Sequence, residues 1–140
     1  MGDSTNSTEK KPLTGMQVLL VEDCPDQGRL YLEILKKAGA QVYLECNGES
    51  AVDAVRKAPS RYQAIVMDFQ MPGMDGLDAT WKIRLLEFSG AIVAFTANAT
   101  DELRDSWLRA GCDVFLAKPV TPQLLIDTIQ NQVNIEGSMP

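Results

Sequence analysis

The chain has 140 residues, with 19 acidic and 13 basic side chains, a formal net charge of −6 and no histidine. This length suits a single domain, whose core is large enough for folding without a disulfide or metal staple. The negative balance argues against nucleic acid or an anionic membrane as a partner, because phosphates are bound by basic surfaces. The lack of histidine excludes imidazole catalysis, histidine-ligated metals and a phosphohistidine within this chain.

Cysteine usage and the two ends of the chain bear on its setting. Cys24, Cys46 and Cys112 are widely spaced and form no CxxC pair, which predicts reduced thiols and a cytoplasmic location. No apolar run approaches the roughly 20 residues of a membrane span, and the polar first residues are unlike a signal peptide. We predict flexible tails at residues 1–15 and 134–140 around one folded domain at residues 16–133.

Five short apolar runs alternate with five amphipathic stretches along the chain. The runs have the length of buried strands, whereas the stretches place apolar residues at helical spacing. The predicted strands are QVLLVE, AQVYLE, AIVMD, AIVAFT and DVFLAK. The predicted helices that follow them are DQGRLYLEILKKAG, ESAVDAVRKA, LDATWKIRLLEF, ATDELRDSWLRAG and TPQLLIDTIQNQV.

Periodicity within the helices predicts which side chains face the core. Leu30 and Leu35 in the first helix, and Trp107 and Leu108 in the fourth, lie at the spacing of an inward-facing stripe. Thr121 is predicted to cap the fifth helix, because it precedes a proline at the first helical position.

Strict alternation of strands and helices predicts a parallel sheet with helices on both faces. Five such units in this length favour a flavodoxin-like, doubly wound α/β fold with strand order 2-1-3-4-5. Ligands of such folds bind beyond the carboxyl ends of the strands, at the switch point between strands 1 and 3.

Polar side chains stand at that end of four predicted strands. Glu22 and Asp23 follow strand 1, Asp68 ends strand 3, Thr96 ends strand 4 and Lys118 follows strand 5. Any one of them could be a solvated strand end, but their common position at one sheet edge favours a functional site.

The combination of these groups points to phosphoryl chemistry. Like charges about 4 Å apart repel by roughly 4 kcal/mol at an effective dielectric constant of about 20, so the carboxylates must take up protons or a cation. Oxygen ligands without a full protein cage favour Mg²⁺. A metal ion, a lysine and a hydroxyl facing one carboxylate would together stabilise the oxygens of a transferring phosphoryl group.

Four longer strings show a family resemblance over nearly all of residues 16–133. They are VLLVED, IVMDFQMPGMDG, AFTANA and AGCDVFLAKP. Together they resemble the receiver domain of two-component response regulators, and most closely the receivers of hybrid sensor histidine kinases.

The resemblance implies an acceptor and a metal site. Asp68 would accept a phosphoryl group from the phosphohistidine of a histidine kinase or a histidine phosphotransfer protein. Asp23 would bind Mg²⁺ directly and Glu22 mainly through water, with Asp68 and the backbone carbonyl of Gln70 as further ligands. The domain would catalyse only its own phosphorylation and a slow autodephosphorylation.

The resemblance also implies a switch. Lys118 would pair with the phosphoryl oxygens, and its bond to Pro119 would be cis. Thr96 would donate its hydroxyl to the phosphoryl group, and Phe115 would hold the switch aromatic position. A homodimer through the face of helix 4, strand 5 and helix 5 is expected for the same reason. Asp75 is interpreted as a helix start, not as a ligand.

Two other functions fit parts of the pattern. An aspartyl-phosphate phosphohydrolase would use a second acid two residues after its nucleophile, but that position carries Gln70. A pseudo-receiver that only binds partners would lack one of the key groups, and Asp23, Asp68, Thr96 and Lys118 are all present.

Overall fold

The chain alternates five strands with five helices in the part that the structure describes. A computed structural model describes residues 11–68, 75–97 and 99–137. The elements are β1 (Gln17–Val21), α1 (Pro25–Lys37), β2 (Gln41–Glu45), α2 (Gly48–Lys57), β3 (Ala64–Asp68), α3 (Gly76–Leu85), β4 (Ala91–Thr96), α4 (Asp101–Ala110), β5 (Val114–Ala117) and α5 (Pro122–Gly137). None of the described helices is both long enough and apolar enough to cross a membrane.

The strands form one parallel sheet in the order β2-β1-β3-β4-β5, which confirms the predicted doubly wound fold. Val21 at the end of β1 pairs with Met67 of β3, and Asp68 pairs with Phe95 of β4. This register places the residues that follow β1 beside Asp68, at the carboxyl edge of the sheet.

Both faces of the sheet are covered by apolar side chains. Every residue of β3 and β4 is buried, as expected for central strands flanked by helices on either side. One core cluster joins the sheet to α1 and α5, and includes Leu20, Leu35 and Leu125. The other joins it to α2, α3 and α4. Full burial of one such leucine side chain contributes roughly 1.5–3 kcal/mol, so these clusters fix the fold.

Capping side chains set where the helices begin. Asn47, Asp75, Thr100 and Thr121 each accept a hydrogen bond from a backbone N–H three residues further on. They satisfy donors that the first helical turn leaves unpaired. The predictions of Thr121 as a cap and Asp75 as a helix start are therefore confirmed. Gly111 ends α4 with a φ of 116°, a conformation that disfavours a side chain.

Two apolar residues that the periodicity assigned to the core lie on the surface instead. Leu30 is 55% exposed and Leu108 is 45% exposed. Their immediate neighbours Tyr31 and Trp107 take the buried positions. Because one residue step turns a helix by about 100°, a large buried aromatic ring leaves the residue next to it outside the contact stripe.

The predicted boundaries also need correction. Leu13 falls in the predicted tail of residues 1–15, yet it is fully buried, and its N–H donates to the Ala38 carbonyl at 2.8 Å. The start at Met16 is therefore too late. The helical backbone of α5 continues to Gly137, beyond the predicted end at Val133. Helix α3 ends at Leu85, earlier than predicted.

Arg84, on the last turn of α3, explains how the segment after that helix is held. Its Nε donates to the Gly111 carbonyl at 2.8 Å, and Nη1 donates to the carbonyls of Phe88 and Gly90 at 2.8 and 2.9 Å. Its Nη2 lies 3.0 Å from Asp113 Oδ2. One half-buried guanidinium thus ties α3, the end of α4 and the start of β4 together, at the sheet edge opposite the carboxylates.

Removing this guanidinium should destabilise the protein strongly. We expect Arg84→Ala to lower the free energy of unfolding by about 2–4 kcal/mol, because three carbonyls and a carboxylate lose a common donor. Arg84→Lys should recover only part of the loss, since an ammonium cannot reproduce the planar fork. Urea denaturation measures both.

Arg104→Ala is the matched control. Arg104 pairs with Asp101 at 3.5 Å on the exposed surface of α4, so its loss should cost less than about 1 kcal/mol. Equal stability losses in the Arg84→Ala and Arg104→Ala variants would contradict a structural role for Arg84.

Candidate functional site

Three carboxylates meet where β1 and β3 end. Glu22, Asp23 and Asp68 each place one carboxylate oxygen within 4.8 Å of the others. They converge because the parallel pairing of β1 with β3 aligns the ends of the two strands. Glu22 is 2% exposed and Asp68 is 5% exposed, whereas Asp23 is the most accessible of the three. The fold therefore brings together the three acids that the sequence singled out.

Lys118 supplies the positive charge of this cluster. It follows β5, and its ammonium lies 3.4 Å from Glu22 Oε1 and 3.5 Å from Asp68 Oδ1. Its backbone N–H donates to the Thr96 carbonyl at 2.7 Å, which fixes the chain where β5 leaves the sheet. The bond from Lys118 to Pro119 is cis, as predicted.

Two further residues position Lys118, and the sequence analysis missed both. The Lys118 ammonium donates to Gln27 Oε1 at 2.7 Å, its shortest contact with a side chain that the structure describes. It also lies 4.8 Å from the ring centre of Phe95, within the range of a cation–π interaction. Gln27 belongs to the first turn of the helix that follows the acid pair, which is the one sequence signal that could have pointed to it.

The buried acids carry more negative charge than Lys118 can balance. The pKa of Glu22 is raised from 4.5 to about 7, first because the carboxyl is buried and second because it lies beside the Asp68 carboxyl. Lys118 and the backbone N–H of Cys24, 3.2 Å from Glu22 Oε2, oppose this increase. A hard divalent cation fits this oxygen cluster, because it would favour the ionised forms that burial disfavours.

Thr96 and Phe115 occupy the same side of the sheet on adjacent strands. Thr96 ends β4 and is buried, with 1% of its surface exposed. In β5, Phe115 pairs with Ala94, whose side chain points to the same face as that of Thr96 two residues later. The Phe115 ring lies 6.3 Å from the buried ring of Trp107 in α4. The side chains of Ala94 in β4, Phe115 in β5 and Trp107 in α4 thus form a packing path that joins these three elements. Gln70, the remaining predicted ligand, lies outside the described residues.

A doubly wound sheet with acids after β1 and β3, a hydroxyl after β4 and a lysine after β5 defines a class of protein, the receivers of two-component phosphorelays. Comparison with known proteins agrees. A model of the response regulator receiver domain family matches residues 18–130. The chain belongs to this family.

Curated relatives are much longer proteins. The chain is 33% identical over 121 residues to hybrid signal transduction histidine kinase M of Dictyostelium discoideum, which covers 83% of this chain and 5% of that protein. It is 36% identical over 116 residues to the sensory/regulatory protein RpfC of Xanthomonas campestris, which covers 79% of this chain and 16% of that protein. The chain thus spans a small part of these relatives and is homologous to the receivers of hybrid histidine kinases.

Solved structures show the same fold. The receiver domain of a sensor histidine kinase from Pseudomonas aeruginosa, with a magnesium ion coordinated in its active site cleft, is 36% identical with a TM-score of 0.79. The match covers 86% of this chain and 99% of that one. The chemotaxis protein CheY4 of Vibrio cholerae is 26% identical with a TM-score of 0.78, over 84% of this chain and 98% of that one.

Magnesium should stabilise the folded protein, since a cation held by the three assembled carboxylates would have little affinity for the unfolded chain. At about 100 times its dissociation constant the gain is about 2.7 kcal/mol. Since the entropy of unfolding is about 2.1 cal/mol/K per residue, this gain should raise the melting temperature of a domain of this size by roughly 9 °C. Thermal melts in EDTA and in excess Mg²⁺ measure the difference.

Asp23→Asn tests the origin of that effect. The variant should melt at a higher temperature than the wild type in EDTA, because one repelling charge is gone, and should lose the response to Mg²⁺. Asp26→Asn, which changes an exposed acid of α1, should respond like the wild type. A full Mg²⁺ response in Asp23→Asn would show that the ion binds elsewhere.

Proposed function

We propose that Asp68 receives a phosphoryl group from the phosphohistidine of a histidine kinase or a histidine phosphotransfer protein. The observation that carries this proposal is the contact between Asp68 Oδ1 and the Lys118 ammonium, 3.5 Å apart, at the carboxyl edge of the sheet. Asp68 is thus a nearly buried nucleophile that faces a fixed positive charge and two further acids.

The transfer requires one bond to form and one to break. A carboxylate oxygen of Asp68 attacks phosphorus, and the P–N bond to the donor imidazole breaks. The electron pair returns to the imidazole nitrogen, which takes up a proton. Because this chain contains no histidine, the donor must be another molecule. The Lys118 ammonium, held by Gln27, would attract the phosphoryl oxygens as their charge shifts toward Asp68.

We infer that Mg²⁺ is held by Asp23 and Asp68, by Glu22 mainly through water, and by the Gln70 carbonyl. The three converging carboxylates and the raised pKa of Glu22 support this inference. When bound, the ion supplies a second positive charge next to the phosphoryl oxygens and lowers the repulsion between them and the attacking carboxylate.

The site residues favour a signalling role, in which the protein accepts a phosphoryl group, over an enzyme that turns over a substrate. The phosphohydrolase alternative needs a second acid two residues after Asp68, where the sequence has Gln70. Without that acid, hydrolysis of the aspartyl phosphate should be slow.

We also propose that the protein is located in the cytoplasm. The free thiols of Cys24, Cys46 and Cys112 support this location, because disulfides are rare in that compartment.

The proposed readout uses the packing path from β4 to α4. A phosphoryl group on Asp68 would draw the Thr96 hydroxyl toward it, and the Phe115 ring would move into the space that Thr96 leaves. Because Phe115 contacts Trp107, this movement would change the face formed by α4, β5 and α5. A homodimer through that face stays a prediction.

Phosphorylation by a small donor tests the acceptor. With acetyl phosphate and Mg²⁺, intact-mass measurement should show the addition of one phosphoryl group to the wild type and none to Asp68→Asn. Asp101→Asn, which removes an exposed acid of α4, is the matched control and should be labelled normally. Equal labelling of Asp68→Asn and the wild type would place the acceptor elsewhere.

The effect of Lys118 should appear in the rate of labelling. Replacing it with alanine removes a preorganised charge from the transferring group, so we expect Lys118→Ala to be labelled about a hundredfold more slowly. Labelling of this variant at the wild-type rate would contradict the role proposed for the ammonium.

Thr96→Ala separates acceptance from readout. The variant should still take up the phosphoryl group, because Asp68 and Lys118 are unchanged, but α4 should respond less. Amide NMR shifts in α4 on addition of beryllofluoride, an analogue of the phosphoryl group, measure that response. Equal shifts in Thr96→Ala and the wild type would show that the hydroxyl does not couple the site to α4.

A further inference from the structure

The Lys118 ammonium has two kinds of neighbour. Two of them are acids, with Glu22 Oε1 at 3.4 Å and Asp68 Oδ1 at 3.5 Å. The other two are uncharged, namely Gln27 Oε1 at 2.7 Å and the ring of Phe95, whose centre is 4.8 Å away. Among the described side chains, the shortest hydrogen bond of this ammonium is therefore to a neutral amide and not to an acid.

The two acids are the neighbours that the proposed reaction would take away from Lys118. Glu22 and Asp68 both belong to the proposed metal site, so a bound cation would compete with the ammonium for their oxygens. Asp68 would also give one oxygen to the new bond with phosphorus. Gln27 and Phe95 have no part in the metal site, so their contacts with the ammonium do not depend on what the acids bind.

The Phe95 ring is itself held in place. It is fully buried, and the buried ring of Tyr31 packs edge-on against it, with the ring centres 5.0 Å apart and the ring planes at 86°. Gln27 precedes Tyr31 by four residues in α1, so the amide and the edge-on ring lie on the same side of that helix. Helix α1 and strand β4 thus support Lys118 independently of the acids.

This support adds no full charge to the site. Three carboxylates already surround the position where negative phosphoryl oxygens would arrive. A carboxylate at position 27 would attract the ammonium more strongly than an amide does, but it would also repel those oxygens. An amide oxygen and an aromatic face attract the ammonium without that repulsion.

We propose that Gln27, together with the Phe95 ring, is a positioning residue that keeps the Lys118 ammonium beside Asp68 while the phosphoryl group is transferred. This inference rests on the proposed function of Asp68 as the acceptor. A charge that is already in place needs no rearrangement during the transfer. An ammonium released by its acid partners would instead move on a flexible four-carbon stem. Gln27 therefore acts through Lys118 and not on the phosphoryl group itself.

The rate of labelling by acetyl phosphate measures this role. Gln27→Met keeps the length of the side chain but removes the amide oxygen, and it should lower the rate in excess Mg²⁺ by about tenfold. The Mg²⁺ concentration that gives half of this rate should change by less than about twofold, because the metal ligands are unchanged. Gln41→Met is the matched control: Gln41 is exposed at the start of β2, at the opposite end of the sheet, so this variant should be labelled like the wild type.

A double-mutant cycle shows whether Gln27 acts through Lys118. In a Lys118→Ala background there is no ammonium to hold, so Gln27→Met should change the rate by less than about twofold. Phe95→Leu removes the aromatic face but keeps an apolar side chain, and its effect should also disappear in that background. A tenfold effect of Gln27→Met both with and without Lys118 would overturn the proposal.

NMR of the lysine ammonium groups gives a readout that needs no phosphoryl transfer. With Mg²⁺ and beryllofluoride, the wild type and Gln41→Met should show a Lys118 ammonium signal, identified by its loss in Lys118→Ala, because a held ammonium exchanges its hydrogens slowly with water. The signal should disappear in Gln27→Met.

Gln27→Glu separates the acceptor from its charge. This variant should regain the Lys118 signal but be labelled more slowly than the wild type, and labelling at the wild-type rate would contradict the need for a neutral acceptor. A Lys118 signal that is absent from the wild type, or that persists in Gln27→Met, would overturn the positioning role. Failure of the acceptor itself would appear differently, as labelling of Asp68→Asn.

Discussion

Two nearly buried carboxylates share one ammonium at the carboxyl edge of the sheet, and much of the molecule serves to hold them there. Glu22 and Asp68 repel each other, and Lys118 reaches both at 3.4 and 3.5 Å. No local sequence feature forces the two acids together. Their proximity comes from the hydrogen bonds between β1 and β3 and from the apolar clusters on both faces, which together outweigh the electrostatic cost.

The opposite edge of the sheet has the reverse character. There Arg84 donates to three carbonyls and contacts Asp113, so polar groups at the ends of α3 and α4 are well satisfied. The contrast separates stability from function. The repelling carboxylates of the candidate site oppose folding at the carboxyl edge of the sheet. At the opposite edge, the hydrogen bonds of Arg84 stabilise the fold and have no part in the proposed chemistry.

The sequence predicted the fold, and it singled out the acids and the lysine that the structure brings together, because apolar runs and the charged residues at their ends are local patterns. Apolar runs of strand length with acids or a lysine at their ends can be recognised in the sequence whatever the arrangement of the helices. The strand order then brings Asp68 to the acid pair. Gln27 and Phe95 were not predicted to contact Lys118, because these contacts depend on the conformation that the flexible Lys118 side chain adopts in the folded protein.

Burial on the helices was predicted less well, for a related reason. Periodicity gives the width of an apolar stripe but not its rotation against the sheet. In α4, Trp107 occupies the contact with the sheet and Leu108 is left outside. Leu13 was missed because a single leucine in a polar segment has no periodicity, although its burial and its backbone hydrogen bond to Ala38 join that segment to the fold.

The two tryptophans give the protein two distinct optical environments. Trp107 is fully buried beside Phe115, in the apolar surroundings that shift indole emission to shorter wavelengths. Trp81 is 55% exposed to water on α3, where emission is shifted to longer wavelengths. Their emission therefore differs in both colour and accessibility to a dissolved quencher. The intrinsic tryptophan fluorescence of the protein can therefore report separately on its interior and on its surface, without an attached dye.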